Sequence, residues 1–326
     1  MSLPETYKAI VPDENKLPLY KEFPLPKPSA NQVLIKVSFA PINPTDLMRM
    51  RGFYSLHTSL IGSEGSGVVA AVGENLKVPY KVGDRVHITD STWGQYMLAN
   101  SEDISPILQD DLSFEDAASH FVNPATVYYM GVLAERGNHK AAIHTAGASA
   151  LGKMLIRHYE EKGIKLINIV RKEEQIEELL KEGADYVLNS QSPDFEAKLK
   201  ELAEKENATI AFDAIAGDFT AKVMKCQPAK SHIYAYGALS GSPILTGLNR
   251  VELMKGKVLK VLFVPNFMRE VTEKGQALET TNAFHSLLPT TFKTNIHKIY
   301  NVEDIKEAIE YYEKNSSKGK ILLKFN

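Results

Sequence analysis

The chain shows two different patterns of hydrophobic and polar residues, one in each of two consecutive parts. From Tyr7 to about Val122, short stretches of alternating apolar and polar residues are separated by Gly, Pro and Asp, as in QVLIKVSFAPI, EGSGVVAAVGE and DRVHITD. Alternation with a period of two is typical of strands that bury one face. The pattern predicts a closed or nearly closed β domain.

From about Asn123 to Pro289, apolar runs alternate with helical stretches. The helical pattern is clearest in ALGKMLIRHYEEKG and KEEQIEELLKEG. The runs expected to be strands are AAIHTA, KLINIV, ADYVLN, TIAFDAI, HIYAYG and VLKVLFV. Strands and helices in alternation predict a parallel sheet with helices on both faces, so this part is predicted to be a doubly wound α/β domain.

The end of the chain has no place in that sheet. It offers a helical segment, VEDIKEAIEYYEKN, and a last apolar run, KILLKF. We expect both to rejoin the first domain. The predicted domains are therefore residues 1–122 completed by 290–326, and residues 123–289.

Composition narrows the classes of function. The 326 residues are 44% hydrophobic and 24% charged, with a formal net charge of -2, as in an ordinary globular protein. Neither a nucleic-acid partner nor a membrane partner is expected, and the start of the chain lacks an apolar signal core, which favours a cytoplasmic location. The single cysteine excludes a disulfide framework within the chain and a structural zinc site of four cysteines.

A small-residue turn is the first candidate for chemistry. The segment HTAGASALG, residues 144–152, follows an apolar run and precedes a helical one. Within it Gly147, Ala148, Ser149 and Gly152 form a GxSxxG pattern, which is looser than the dinucleotide fingerprint with three glycines. Such a turn offers backbone N–H groups and the positive end of a helix dipole to a pyrophosphate. We predict a dinucleotide site here.

The next strand ends on two basic residues. Arg171 and Lys172 stand about 20 residues after Gly152, where an NAD-binding protein carries an acidic residue for the ribose hydroxyls. A guanidinium and an ammonium favour a 2′-phosphate instead, because Arg can clamp it through two hydrogen bonds. The predicted cofactor is NADPH, although Glu173 and Glu174 follow directly and oppose the preference.

Several ordered motifs resemble the zinc-independent branch of the medium-chain dehydrogenase/reductase superfamily, which holds quinone reductases and enoyl-thioester reductases. The motifs span nearly the whole chain and are VLIKVSFAPINPTD, GSEGSGVVAAVGENL, GDRV, NPATVYYM, AGASALG, FDAIAG and GKILL. The resemblance implies a GroES-like catalytic domain beside a Rossmann domain. It also implies transfer of hydride from NADPH to a conjugated acceptor, namely a quinone, a 2-enal or enone, or an enoyl thioester.

The resemblance also bears on metal. Zinc alcohol dehydrogenases of the same superfamily place a cysteine where this chain has Asn43 and a histidine where it has Ser63. Neither replacement is a good zinc ligand, so no metal is expected. Without a Lewis acid the substrate should carry its own electron sink, which a conjugated double bond provides.

Two residues are candidates for catalysis. Tyr54, in RGFYSLH, stands where enoyl-reductase relatives have a tyrosine proposed as proton donor, and its alternative role is to line the cleft. Asn43 corresponds to a residue that lines the nicotinamide and substrate pocket. It could donate to a carbonyl oxygen or fix the nicotinamide ribose, or it could serve only in a turn before Pro44.

The resemblance implies further cofactor contacts. Thr126 could hold the nicotinamide carboxamide, and Gly237 ends a strand of the sheet. Phe263 and Val264 belong to a segment that relatives lay along the nicotinamide, although they could equally be core residues of an edge strand. Lys320, in GKILL, could reach the same face.

Two other classes of function stay open. The chain could be a non-catalytic NADPH-binding protein, like the crystallin and RNA-binding relatives of this fold, or, less favoured, a zinc alcohol dehydrogenase. The expected partners are a small-molecule substrate and a second copy of the chain, because cofactor domains of this superfamily commonly pair their edge strands in a two-fold dimer.

Overall fold

The chain forms two compact units in the computed structural model, which describes residues 3–53, 60–107, 109–242, 247 and 250–325. The first unit joins residues 1–122 to residues 293–326, and the second is residues 123–292. The sequence pattern set the second boundary at 289/290, and the structure sets it at 292/293.

The first unit is mainly β-structure. A short helix follows the third strand, and the tail adds two strands and a helix. Its strands are β1 (Thr6–Pro12), β2 (Pro18–Pro24), β3 (Gln32–Pro41), β4 (Glu64–Val72), β5 (Arg85–Thr89), β6 (Tyr96–Asn100), β7 (Ser105–Pro106), β14 (Ile296–Asn301) and β15 (Lys320–Lys324). Its helices are α1 (Pro44–Met50), α2 (Phe114–Ala117) and α11 (Ile305–Asn315), with 3-10 turns at Ser101–Asp103 and Val302–Asp304.

The tail completes the main sheet of this unit. The strands run in the order β14-β15-β3-β4-β5-β7, with β6 also paired to β3, while β1 and β2 form a separate hairpin. β15 pairs antiparallel with β3, so that Leu322 lies opposite Pro41. The tail of the chain therefore lies in the first unit.

The core of the first unit lies under the middle of this sheet. It contains buried side chains of alternate strand positions, including Val33, Ile35 and Val37 of β3. Trp93 is fully buried among them, and its indole N–H donates to the Pro41 carbonyl at 3.2 Å. Leu34, on the opposite face of β3, is also fully buried, so this strand is covered on both faces over much of its length and Lys36 is its exposed residue.

The second unit alternates strands and helices. Its strands are β8 (Ala141–His144), β9 (Lys165–Val170), β10 (Tyr186–Asn189), β11 (Ile210–Asp213), β12 (His232–Ala235) and β13 (Val258–Val261). Its helices are α3, which begins at the boundary residue (Val122–Arg136), α4 (Ala150–Glu161), α5 (Glu174–Lys181), α6 (Phe195–Lys205), α7 (Asp218–Cys226), α8 (Arg250–Met254), α9 (Val264–Glu273) and α10 (Ala277–His285).

All six strands are parallel, in the order β10-β9-β8-β11-β12-β13. The order reverses between β8 and β11, and this topological switch point is where doubly wound sheets bind their ligands, outside the carboxyl ends of the strands. The predicted doubly wound sheet is confirmed.

One predicted strand is shorter than expected. VLKVLFV forms β13 only as far as Val261, and Phe263 is the residue that precedes α9. Pro265 lies in the first turn of that helix, where its fixed φ and missing N–H favour a helix start. Phe263 is 47% exposed, so the reading of this residue as strand core was wrong.

No helix in the described part of the chain has both the length and the apolar composition to cross a bilayer.

Candidate active site

The glycine turn joins β8 to α4 by a close approach of backbone to backbone. A Cβ at Gly152 would lie 2.1 Å from the carbonyl oxygen of Gly147, so only glycine fits. Ser149 precedes α4, and its hydroxyl accepts a hydrogen bond from the Gly152 N–H at 3.0 Å. Ala146 adopts a left-handed φ of 58°, which is uncommon for a non-glycine residue.

The turn leaves donors for a ligand. The Gly147 N–H donates to the Ile169 carbonyl, and the Ser149 N–H donates to the Ala146 carbonyl. Among the bonds of the described residues, none uses the N–H groups of Ala148, Ala150 or Leu151. Three unused N–H groups at the start of a 12-residue helix make a site for an anion.

The two basic residues lie at the carboxyl end of β9, as predicted. Gln175 holds their backbone, because its side-chain oxygen accepts from the N–H groups of Arg171 at 3.3 Å and Lys172 at 3.2 Å. Both side chains are exposed, and Lys172 lies 3.6 Å from the Glu174 carboxylate. An exposed ion pair at this distance contributes little energy. The side chains of Arg171 and Lys172 are therefore available to bind a phosphate.

A buried carboxylate fixes the loops on both sides of the switch point. Asp213 ends β11 and accepts hydrogen bonds from the hydroxyls of Thr145 at 2.8 Å and Thr220 at 2.5 Å. It also accepts the N–H groups of Ile215 at 2.9 Å and Ala216 at 3.1 Å. These bonds of the fully buried carboxylate go to the adjoining turns and to helix α7, so Asp213 fixes the conformation of the loops at the switch point.

A histidine and a tyrosine meet at the same edge of the sheet. His144 ends β8 and is fully buried, and its Nε2 lies 2.7 Å from the hydroxyl of Tyr236, which follows β12. Its Nδ1 has no partner in the described part of the chain. Burial lowers the pKa of His144 to about 3, so the ring is neutral at physiological pH.

The structure places the other predicted cofactor residues of the second unit as follows. Thr126 is buried in the second turn of α3. Gly237 follows β12, and a Cβ there would lie 2.7 Å from the Ala214 carbonyl oxygen, so the backbone passes close to the switch-point loop. Phe263 and Val264 form the start of α9.

In the first unit, Asn43 and Lys320 meet a buried glutamate. The Asn43 amide nitrogen donates to Glu64 Oε1 at 3.0 Å, and the Lys320 ammonium donates to the Asn43 amide oxygen. Lys320 Nζ also lies 3.6 Å from Glu64 Oε1. All three residues are buried, so the predicted catalytic Asn43 and the predicted cofactor ligand Lys320 bind each other across the sheet.

The other carboxylate oxygen of Glu64 accepts two backbone N–H groups. Those of Phe121 and Val122 lie at 2.7 Å and 2.9 Å, at the start of α3. A carboxylate at a helix N-terminus satisfies donors that the helix cannot and interacts favourably with its dipole. Glu64 therefore fixes Phe121 and Val122, the end of this segment of the first unit, to β4.

A second buried carboxylate lies beside this cluster. Asp46, in α1, accepts the Asn43 N–H at 2.9 Å and lies 2.5 Å from the Ser63 hydroxyl. Burial raises the pKa of Asp46 to about 6, although the hydrogen bonds from Ser63 and Asn43 lower it. The structure thus joins the two positions, Asn43 and Ser63, at which zinc-dependent relatives carry metal ligands.

No group of three or more His, Cys, Asp or Glu side chains among residues 3–53, 60–107, 109–242, 247 and 250–325 could hold a metal ion. The predicted catalytic Tyr54 lies outside the described residues.

Sequence reasoning did not single out Glu64, Asp46 with Ser63, Asp213 or His144 with Tyr236. Glu64 and Ser63 lie inside GSEGSGVVAAVGENL, and Asp213 lies inside FDAIAG, so the motifs contained the signal. The contacts themselves join residues far apart in sequence, and only the folded strands bring them together.

The residues of the turn fit a dinucleotide. The close approach of the Gly147 backbone to Gly152, which only glycine allows, together with the unused N–H groups of the helix start, matches the needs of a pyrophosphate. The Rossmann half would hold a nicotinamide cofactor at this edge.

Comparisons with known proteins agree with this geometry. Residues 29–119 match the alcohol dehydrogenase GroES-like domain, and residues 150–279 match the zinc-binding dehydrogenase family model. Quinone oxidoreductase 1 of Escherichia coli is 27% identical over 93% of this chain and 94% of that protein. A mitochondrial enoyl-[acyl-carrier-protein] reductase of Caenorhabditis elegans is 35% identical over 67% of this chain and 64% of that protein.

A solved structure extends the match to the whole fold. The crystal structure of a Mesorhizobium loti protein described as an NADPH:quinone reductase superposes with a TM-score of 0.86 at 27% identity, over 99% of this chain and 100% of that chain. The GroES-like and Rossmann expectations are confirmed. The chain belongs to the medium-chain dehydrogenase/reductase superfamily, is an oxidoreductase, and has quinone and enoyl-thioester reductases as its relatives.

Proposed function

We propose that this protein transfers hydride from NADPH to a conjugated acceptor, a quinone, a 2-enal or enone, or an enoyl thioester, without a metal ion. The observation that carries the proposal is the glycine turn with its unused N–H groups, followed one strand later by Arg171 and Lys172. The names of the relatives from E. coli, C. elegans and M. loti support the same choice of acceptor.

The cofactor would be held along the carboxyl edge of the second unit. The N–H groups of Ala148, Ala150 and Leu151 would bind the pyrophosphate, and Arg171 with Lys172 would bind the 2′-phosphate. Thr126 and Gly237, with Phe263 and Val264, would line the nicotinamide end.

The acceptor must be activated without a Lewis acid. NADPH supplies a hydride when it is bound. In a conjugated acceptor the hydride adds at the β carbon, and the displaced electron pair moves to the carbonyl oxygen, which requires only hydrogen bonding and a proton. We assign the proton to the Tyr54 hydroxyl, because a tyrosine hydroxyl can act as a general acid.

The cofactor assignment is tested with Arg171→Ala. We expect the dissociation constant of NADPH to rise about 10- to 100-fold, the cost of losing charge-assisted hydrogen bonds. The constant of NADH should hardly change, because NADH has no 2′-phosphate. Lys181→Ala, which removes an exposed cation from the same region, is the control, and equal losses for both cofactors in Arg171→Ala would disprove the assignment.

The acceptor class is tested by following NADPH absorbance with 1,4-benzoquinone, a 2-alkenal, a crotonyl thioester and a simple ketone. Turnover of the conjugated acceptors alone is expected, and turnover of the ketone alone would contradict the proposal. No turnover of any acceptor, with NADPH bound, would favour the non-catalytic alternative. Tyr54→Phe should lower kcat more with the thioester than with the quinone.

We also propose that two copies pair through β13. This edge strand exposes apolar side chains, including Val261 at 63%, and Met254 in the preceding helix α8 is 80% exposed. An uncovered apolar edge strand is a template for pairing with another chain. Val261→Lys should convert a dimer to a monomer in light scattering, whereas Val82→Lys, at a 62% exposed position of the first unit, should not.

A further inference from the structure

Two acids directly follow the basic pair at the carboxyl end of β9. Arg171 and Lys172 carry two positive charges, and Glu173 and Glu174, at the start of α5, carry two negative ones. A phosphate monoester carries about −1.5 to −2 charges near pH 7. The basic pair can attract it only if the neighbouring carboxylates are held away from the cations.

The carboxylate of Glu173 is bound to the neighbouring strand. Asn189 is the last residue of β10, and its amide nitrogen donates to Glu173 Oε2 at 3.0 Å. In the parallel pair of β9 and β10, Asn189 lies opposite Val170, the last residue of β9. The bond therefore connects the segment that follows one strand to the end of the next strand.

The Asn189 amide has its orientation fixed by a second hydrogen bond. Its oxygen accepts the N–H of Gln191 at 2.9 Å, within the turn that follows β10. An amide has a donor side and an acceptor side. Because the oxygen is used by the turn, the nitrogen is the group that faces Glu173.

A cation of the next helix acts on the same carboxylate. Lys198, on α6, has its pKa raised by a hydrogen bond from its ammonium to Asp194, and Glu173 adds a smaller contribution in the same direction. Asn189 and Lys198 both follow Glu173 in the chain and belong to β10 and α6. Both favour the position that Glu173 has in the structure.

Arg171 has no carboxylate partner in the described part of the chain. Glu174 lies 3.6 Å from Lys172, and Glu173 is bound to Asn189. The Arg171 backbone is held by the Gln175 side chain, while its own side chain is exposed. Its guanidinium can therefore form two hydrogen bonds to a phosphate without first breaking an ion pair.

We propose that Asn189 is a specificity-determining residue for the cofactor, because it holds the Glu173 carboxylate at the end of β10 and so keeps it from competing with the 2′-phosphate for Arg171. This inference rests on the proposed use of NADPH. Asn189 acts through Glu173 and needs no contact with the cofactor.

Release of Glu173 should change the choice between the two cofactors. An exposed glutamate that has lost its partner can rotate toward the guanidinium two residues earlier and occupy the donors that the phosphate needs. It would repel the phosphate as well. NADH has no 2′-phosphate, and NAD-binding proteins carry an acidic residue near this strand end, so the affinity for NADH should not fall.

The first test is Asn189→Ser, with the dissociation constants of NADPH and NADH measured by fluorescence titration. The serine hydroxyl can still accept the Gln191 N–H in the turn, but it lacks the amide donor for Glu173. We expect the constant of NADPH to rise about 3- to 10-fold, the effect of one exposed charge at about 4 Å, and the constant of NADH not to rise. The loss should shrink in about 0.5 M sodium chloride, because salt screens exposed charges.

Tyr186→Phe is the matched control for the first test. Tyr186 begins the same strand β10, and its hydroxyl donates to Glu206 Oε1 at 2.8 Å. The variant also removes one hydrogen bond between β10 and a glutamate, but at the amino end of the strand. The dissociation constants of both cofactors should stay as in the wild type.

The second test asks whether Glu173 carries the effect. Adding Glu173→Gln to Asn189→Ser removes the released charge and should restore the wild-type affinity for NADPH. Glu173→Gln alone should change that affinity less than about 2-fold, because Asn189 already holds the charge away, so the two substitutions should be strongly non-additive. A purely structural role of Asn189 would leave the double variant as weak as Asn189→Ser.

The outcomes separate this inference from the proposed function. If the wild type prefers NADPH and loses the preference in Arg171→Ala, but Asn189→Ser keeps it, the role of Asn189 is overturned and the proposed cofactor stands. Failure of Glu173→Gln to rescue Asn189→Ser, or a several-fold tighter binding of NADPH by Glu173→Gln alone, also overturns it. A wild type without any preference for NADPH contradicts the proposed cofactor itself.

Discussion

At the scale of single residues, the site depends on a few positions where the backbone leaves no room for another side chain. Gly152 is the extreme case, because its Cα faces the Gly147 carbonyl oxygen. A Cβ at Gly147 would instead meet the side chains of Asn168 at 3.0 Å and Leu179 at 3.1 Å. Side chains can shift by a few tenths of an ångström, whereas a backbone carbonyl in a tight turn cannot do so without moving the turn.

This difference predicts a graded effect on cofactor binding. Gly152→Ala should raise the dissociation constant of NADPH at least about 10-fold, equivalent to ~1.4 kcal/mol, because the turn must open and its N–H groups lose their alignment. Gly147→Ala should raise this dissociation constant much less. Fluorescence titration of both variants checks the order, and equal affinities would show that the turn does not hold the cofactor.

The same scale shows what the sequence could supply about the site. Gly152 and Arg171 could be chosen from spacing, since their neighbours in the chain are also their neighbours in the fold. Asp46 and Ser63 are 17 residues apart, and their contact depends on how α1 lies against the start of β4. No local pattern encodes that packing.

At the scale of elements, one ion pair connects strands from the two ends of the first unit. Glu64 begins β4, Lys320 begins β15, and the remaining oxygen of Glu64 accepts the N–H groups of Phe121 and Val122. Breaking a buried pair by removing one partner leaves an uncompensated charge, which is costly. Replacing both partners removes that cost.

A double-mutant cycle should therefore show strong coupling. Lys320→Met and Glu64→Gln should each lower the free energy of unfolding by about 3–5 kcal/mol, and the double variant should lose clearly less than the sum. Urea titration gives the values. The matched exposed pair of Lys77 and Glu102, at 2.5 Å, should show no measurable coupling, and equal behaviour of the two pairs would contradict a structural role for the buried one.

Elements also show where sequence patterns lose accuracy. The six strands of the second unit and the return of the tail could be predicted, because each apolar run has a clear period and clear ends. The end of β13 could not be predicted, because the apolar residues of VLKVLFV continue from the strand into helix α9 without a polar residue between them. Pro265 was the local signal for the change.

At the scale of the whole molecule, buried histidines set the response to acid. Burial lowers the pKa of His87 to about 4, of His144 to about 3 and of His158 to about 4. Their ordinary value of 6.5 applies in the unfolded chain, which therefore binds protons first as pH falls. Stability contributed by these neutral rings is present above pH 6.5 and is lost as pH falls towards 4.

Asp46 acts in the opposite direction over part of this range. Its pKa is raised to about 6 in the fold, so the native state binds its proton first and gains stability as pH falls from 6 to 4. One such group opposes three histidines. At pH 5 each histidine should lower the free energy of unfolding by about 2 kcal/mol, and the contribution of Asp46 offsets part of this loss.

His158 offers a direct check of this account. Neither of its ring nitrogens has a partner among the described residues, and it packs against the ring of Phe292 at 5.2 Å. His158→Leu should change the melting temperature little at pH 7.5 and raise it relative to wild type at pH 5. His297→Leu, at an exposed position, is the control. A wild-type melting temperature that does not fall between pH 7 and pH 5 would contradict the prediction.

The position of β15 has a consequence for synthesis of the protein. This strand lies between β14 and β3 in the sheet, yet it is synthesised after the whole second unit. Until β15 has left the ribosome, residues 39–41 of β3 lack their partner strand, whereas all strands of the second unit are already available. Deletion of residues 320–324 should therefore damage the β-rich unit, far away along the chain, before it affects the cofactor half.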